Sequence, residues 1–110
     1  MNIERQERSG ILTLVLDGRV DSIGAGELEA ALDEVLEQGY NKLVLDMAGV
    51  QYINSSGLRT LADAVTRARN RGGDVRLAAL TPRVARVFKI IGFDRFFEDY
   101  PTVEDAYYGL

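Results

Sequence analysis

Lys42-Leu43-Val44-Leu45-Asp46, a short connection, and Ile53-Asn54-Ser55-Ser56-Gly57 leading straight into Leu58 form the stretch that decides how this chain folds. The run Leu43-Val44-Leu45 is too short for a helix and apolar on both faces, the pattern of a strand buried in a parallel sheet, with Asp46 at its carboxyl end. Past the connection, Leu58, Leu61, Ala62, Val65 and Ala68 fall on one face of a helix that stops at Gly72-Gly73. A buried strand feeding a long amphipathic helix is half of a crossover unit.

The same alternation continues on both sides. Ser9-Gly10 separates two strand candidates, Asn2 to Glu7 and Ile11 to Asp17, as a tight hairpin does. After a loop from Gly18 to Gly26, Leu28, Ala31, Leu32, Val35 and Leu36 recur at helical spacing, and Gly39 ends that helix. Val75 to Leu80 reads as the next strand. Thr81-Pro82, a capping hydroxyl followed by proline at the first helical position, starts a helix whose apolar face is Val84, Val87, Phe88 and Ile91, up to Gly92. Phe93, Phe96 and Phe97 follow as aromatic bulk for the core. Thr102, with Asp105 three residues on, caps a short terminal helix through Val103, Ala106, Tyr107 and Leu110. These elements predict an α/β fold, one domain over residues 1–110. Its sheet is mostly parallel, with four to five strands, an antiparallel N-terminal edge strand and about four helices.

Composition narrows the chemistry. The 110 residues are 46% hydrophobic, enough for one sizeable core, and carry a formal charge of −4. There is no cysteine and no histidine, which removes disulfides, thiolate nucleophiles, the usual general base and the commonest transition-metal ligand. No enzyme activity, cofactor or metal site is expected. The absence of a long apolar run, and of a basic and then apolar leader in Met1-Asn2-Ile3-Glu4-Arg5, points to a cytoplasmic protein without a membrane partner. Residues 55–95 carry +6 against −6 before them and −4 after. Their arginines lack interleaved aromatics or a glycine-rich clamp, so they read as a solvated face rather than a nucleic-acid surface.

What remains for chemistry is the pair Ser55-Ser56. In a parallel sheet, sites gather beyond the carboxyl ends of strands, which places the loops after Asp17 and Asp46 on one edge and makes Asp21 and Ser55 potential neighbours. A hydroxyl at a helix start can cap free backbone groups, and the positive end of the helix tolerates an added phosphate. Both uses are open on the residues alone: Ser55 and Ser56 as caps, with Gly57 allowing close packing, or Ser55 as a phosphoacceptor. Asp21 has a plain use as well, capping the turn before the first long helix. A two-component receiver would use Asp46 as phosphoacceptor, but Asp17 and Asp21 are not the adjacent acidic pair it needs, and Leu80-Thr81-Pro82 holds no lysine. A serine hydrolase lacks its histidine and its Gly-x-Ser-x-Gly, and no P-loop is present.

The longer pattern Asp46-Met47-Ala48-Gly49-Val50-Gln51-Tyr52-Ile53-Asn54-Ser55-Ser56-Gly57-Leu58 resembles the signature of STAS domains, in particular the bacterial anti-sigma factor antagonists. Gly18-Arg19-Val20-Asp21 with Ala25 and Leu28, and Thr81-Pro82 through Phe93, are similar to further segments of that family, so the resemblance covers nearly the whole chain. It implies a STAS fold and a partner-switching function. The unphosphorylated protein would bind an anti-sigma factor that is itself a serine kinase and so free a sigma factor. Phosphorylation at Ser55, with Ser56 the adjacent alternative, would reverse this, and a serine phosphatase would restore binding. The implied partner contacts are Asp21, Asn54, Ser56, Gly57 and Arg59. The family's commoner residue before the serine is aspartate, where this chain has Asn54, and Arg59 stands where a small residue is frequent. STAS modules also serve as subunits of stress-signalling or lipid-transport complexes with no sigma-factor role.

Overall fold

The computed structural model describes residues 1–110. A five-stranded sheet is ordered β1-β2-β3-β4-β5, namely Asn2–Arg8, Ile11–Val20, Lys42–Ile53, Asp74–Ala78 and Glu98–Tyr100. β1 is antiparallel to β2 and every other pair is parallel. The helices are α1 (Ser22–Glu37), α2 (Ser55–Asn70), α3 (Pro82–Ile90) and the short α4 (Val103–Tyr107), with a 3₁₀ turn at Phe93–Arg95. The expected α/β class and the antiparallel N-terminal edge strand are both present. Ser9 and Gly10 have φ of 52° and 81°, the paired positive values of a type I′ turn, which fits the twist of the hairpin it joins.

Side-chain alternation sorts the sheet into two faces. Leu12, Leu14 and Leu16 of β2, Leu43, Leu45 and Met47 of β3, and Val75 and Leu77 of β4 form the main core with α1, α2 and α3. On the other face Ile11, Val44 and Ala78 pack against Ala106 of α4. Arg76 ties that terminal helix down: its guanidinium donates to the carbonyls of Ala106 (3.2 Å) and Tyr108 (2.7 Å). Between α1 and α2, Arg67 is held by Asp33 and, four residues back on its own helix, Asp63. The hydrogen bond that Arg67 donates to Asp33 outweighs partial desolvation and raises the arginine above its ordinary value.

Several boundaries depart from expectation, each for a physical reason. β3 does not stop at Asp46 but runs to Ile53, and β2 runs past Asp17 to Val20. The register slips twice along this pair: Val15 lies opposite Asp46 but Asp17 opposite Gly49, and Gly18 opposite Val50 but Arg19 opposite Tyr52. Each slip places one extra residue in β3, the mark of a β-bulge. The inward residues therefore run 43, 45, 47, 50, 53, a spacing that no longer alternates and so looks like a loop. Gly49 belongs to this irregularity, since a Cβ there would lie 2.8 Å from the carbonyl oxygen of Leu16.

The loop expected from Gly18 to Gly26 is strand up to Val20 and helix from Ser22. β4 ends at Ala78 rather than Leu80, and Ala79 turns the chain with φ of 57°. Ile91, expected on the buried face of α3, is 46% exposed because the helix ends one residue earlier, and Phe96, expected in the core, is 36% exposed. Phe97 is buried, 5.2 Å between ring centroids from Phe88.

Candidate functional site

The bulged extensions of β2 and β3 determine where the site stands. Val20 pairs with Ile53 at the carboxyl ends of the two strands, and the backbone N–H of Asn54 donates to the carbonyl of Val20 at 3.0 Å. Asp21 and Asn54 thus follow side by side, and each starts a helix. Asp21 Oδ1 accepts from the N–H of Gly24 at 2.9 Å, and Asn54 Oδ1 accepts from the N–H of Gly57 at 3.0 Å. Both residues have the extended backbone of an N-cap. The local sequences match in kind: Asp21-Ser22-Ile23-Gly24 and Asn54-Ser55-Ser56-Gly57.

The capping use left open for the serines falls to another residue. Asn54 caps α2, and Ser55 and Ser56 are its first two helical residues, so neither serine caps. Asparagine's amide oxygen does the structural work that an aspartate would do here, without the charge. Ser55 is exposed, and its hydroxyl makes no hydrogen bond within the chain. The backbone N–H groups of Ser55 and Ser56 lie at the first turn, where no intrahelical acceptor exists, so the positive end of α2 is open beside that hydroxyl.

The two glycines set how close the helices come. A Cβ on Gly24 would lie 2.1 Å from the carbonyl oxygen of Arg19, and one on Gly57 would lie 2.4 Å from Val20 Cγ1 and 2.8 Å from Ile53 Cγ1. Gly57 is buried, so its contribution is close approach rather than exposed surface. Ser56 and Arg59 face a groove of about 400 Å³ between the first halves of α1 and α2, together with Ser22, Glu29 and Asp63. Arg59 forms no ion pair there. Ser55 lies outside the groove lining, and so does Asp21, which is half-buried under its capping bond.

Two exposed apolar groups at this edge are invisible to periodicity. Ile23, the second residue of α1, is 77% exposed, and Tyr52 is 38% exposed with the Arg19 guanidinium 4.3 Å from its ring centroid. The pairing of Arg19 with Tyr52 follows from the second bulge, which the sequence does not announce. The echo of Asp-Ser-x-Gly in Asn-Ser-Ser-Gly does mark the two helix starts. No group of three or more acidic side chains is placed to hold a metal ion, and no helix is long and apolar enough to cross a membrane.

Fold and site together define a class: an α/β domain that presents an uncapped serine on a helix start at the carboxyl edge of its sheet. The chain belongs to the STAS domain family, whose model matches residues 2–106. It is 36% identical over 93 residues to BtrV of Bordetella bronchiseptica, covering 84% of this chain and 80% of BtrV. To RsfB of Mycobacterium tuberculosis, an anti-sigma-F factor antagonist, it is 29% identical over 104 residues, 94% of this chain and 84% of RsfB. Among solved structures, an anti-sigma factor antagonist from Mycobacterium paratuberculosis superposes with a TM-score of 0.86 at 28% identity, covering 96% of this chain and 89% of the other.

Proposed function

We propose that this protein is an anti-sigma factor antagonist controlled by phosphorylation of Ser55. The unphosphorylated form binds an anti-sigma factor that is a serine kinase and frees the sigma factor; phosphate on Ser55 ends that binding, and a serine phosphatase renews it. The observation that carries this reading is the division of labour at the start of α2: Asn54 holds the cap, which leaves the Ser55 hydroxyl free and exposed. The names borne by relatives of similar length support the antagonist role.

The electrostatics allow a switch without refolding. A phosphoserine adds about −1.5 to −2 charges. At the first position of a helix that charge is tolerated by the fold, worth about 0.3–1 kcal/mol in its favour. In a close interface the same dianion must shed water and is repelled by any acid the partner sets against it. A coupling on the order of 2–4 kcal/mol, about 30- to 1,000-fold in affinity, is what such an interfacial charge change produces. Incubation with the cognate kinase and ATP, followed by phosphosite mapping, tests the assignment. Phosphate on Ser55 is expected, and phosphate on neither Ser55 nor Ser56 would refute it.

A further inference from the structure

α3 and the turn that follows it carry a second surface. Arg83, Arg86 and Lys89 of α3 and Arg95 of the 3₁₀ turn are four of the chain's thirteen basic residues, and none has an ion-pair or side-chain hydrogen-bond partner in the chain. Between residues 82 and 97 the only acid is Asp94, which with Asp99 lines a groove beside Lys89 without pairing with it. Within this cationic stretch stand Ile90 and Ile91, 75% and 46% exposed, and Phe96, 36% exposed; these are three of the six large hydrophobic side chains that face solvent. The rings and aliphatics occur at the tip where α3 ends and the chain turns through Gly92, with φ of 78°.

This tip is remote from Ser55. The Arg69 guanidinium, in the last turn of α2, donates to the carbonyl of Phe96 at 3.0 Å and lies 5.2 Å from its ring centroid. Residues 55 to 69 of that straight helix span about 21 Å.

We propose that the α3 tip docks on an anionic lipid surface, with Ile90, Ile91 and Phe96 entering the headgroup boundary and the four free cations lying against the charged heads. Charge complementarity selects this occupant: free basic side chains along α3 and its following turn, beside exposed aliphatic groups, match an anionic interface. No helix is long and apolar enough to cross a membrane, so the contact proposed is one at the surface, and it departs from the expectation of no membrane partner.

Vesicle flotation with the full chain tests it, using phosphatidylcholine vesicles with and without phosphatidylglycerol. Wild type should float only with phosphatidylglycerol and be released at high salt. Each neutralised cation should weaken partition about fivefold, so the triple variant Arg83→Gln, Arg86→Gln, Lys89→Gln should lose on the order of a hundredfold. Ile90→Ser should weaken binding, and Ser55→Glu should bind vesicles as wild type does. Failure of wild type to float with phosphatidylglycerol, or equal flotation of the triple variant, would overturn the proposal. So would salt-sensitive self-association without lipid that the triple variant abolishes, because a second copy would then cover the tip.

Discussion

Replacing Gly57 with alanine sets two effects of known size against each other at the point that positions Ser55. In an open helix the change gains about 0.8–1.0 kcal/mol from propensity. Here the new methyl would lie 2.4 Å from Val20 Cγ1 and 2.8 Å from Ile53 Cγ1, well inside van der Waals contact. Both neighbours are β-branched, stiff at χ1, and buried at 0% and 5% exposure, so they cannot swing aside. Overpacking of this kind costs about 1–3 kcal/mol, and the clash here lies at the upper end. The net loss is about 1–2 kcal/mol, or roughly 4–16 °C in Tm for a domain of this size. Gly26→Ala is the internal control: that glycine also lies in a helix, with no atom within 4 Å of the added methyl, so the propensity gain should appear undiminished. Urea denaturation of both variants reads the difference directly. A Gly57→Ala protein as stable as wild type would refute the close-packing argument.

Other expectations follow from the caps and ties. Asn54→Ala should lose about 1 kcal/mol with the cap, seen in urea midpoints, while Asn54→Asp should keep the bond and gain about 0.3–1 kcal/mol from charge at the helix start. Arg76→Ala should release α4, with amide exchange quickening over residues 103–107 before the main core opens, because three hydrogen bonds to terminal carbonyls are removed. Tyr40 donates to Glu7, and that bond, then desolvation, raise its phenol above the ordinary value. The neutral phenol is the form the fold favours, so this contribution is complete below the unfolded value of about 10 and disappears as pH rises through the folded one. An NMR titration should show Glu7→Gln lowering the Tyr40 midpoint.

The elements legible in the sequence were those with an unbroken period. α1 and α2 announced themselves through Leu28 to Leu36 and Leu58 to Ala68, and the hairpin through Ser9-Gly10. β3 beyond Asp46 was hidden because its two bulges turn alternation into a three-residue spacing, and β5 because three residues carry no period at all. The site was legible as a place, since the segments after β2 and β3 do meet at one sheet edge, although the residue beside Asp21 is Asn54 rather than Ser55. Which residue caps was not, because serine and asparagine compete for that position on nearly equal terms and backbone geometry decides. The exposure of Ile23 and Tyr52, and the clustering of free cations about Ile90, depend on packing between segments far apart in sequence.

The central claim is that a charge on Ser55 governs binding, and the direct measurement is the Kd of the purified anti-sigma factor for the unphosphorylated protein, the Ser55-phosphorylated protein and Ser55→Ala in the presence of ATP. Tight binding is expected of the first and third, with a loss of about 30- to 1,000-fold for the phosphorylated form. Equal affinity of the phosphorylated and unphosphorylated proteins would contradict it.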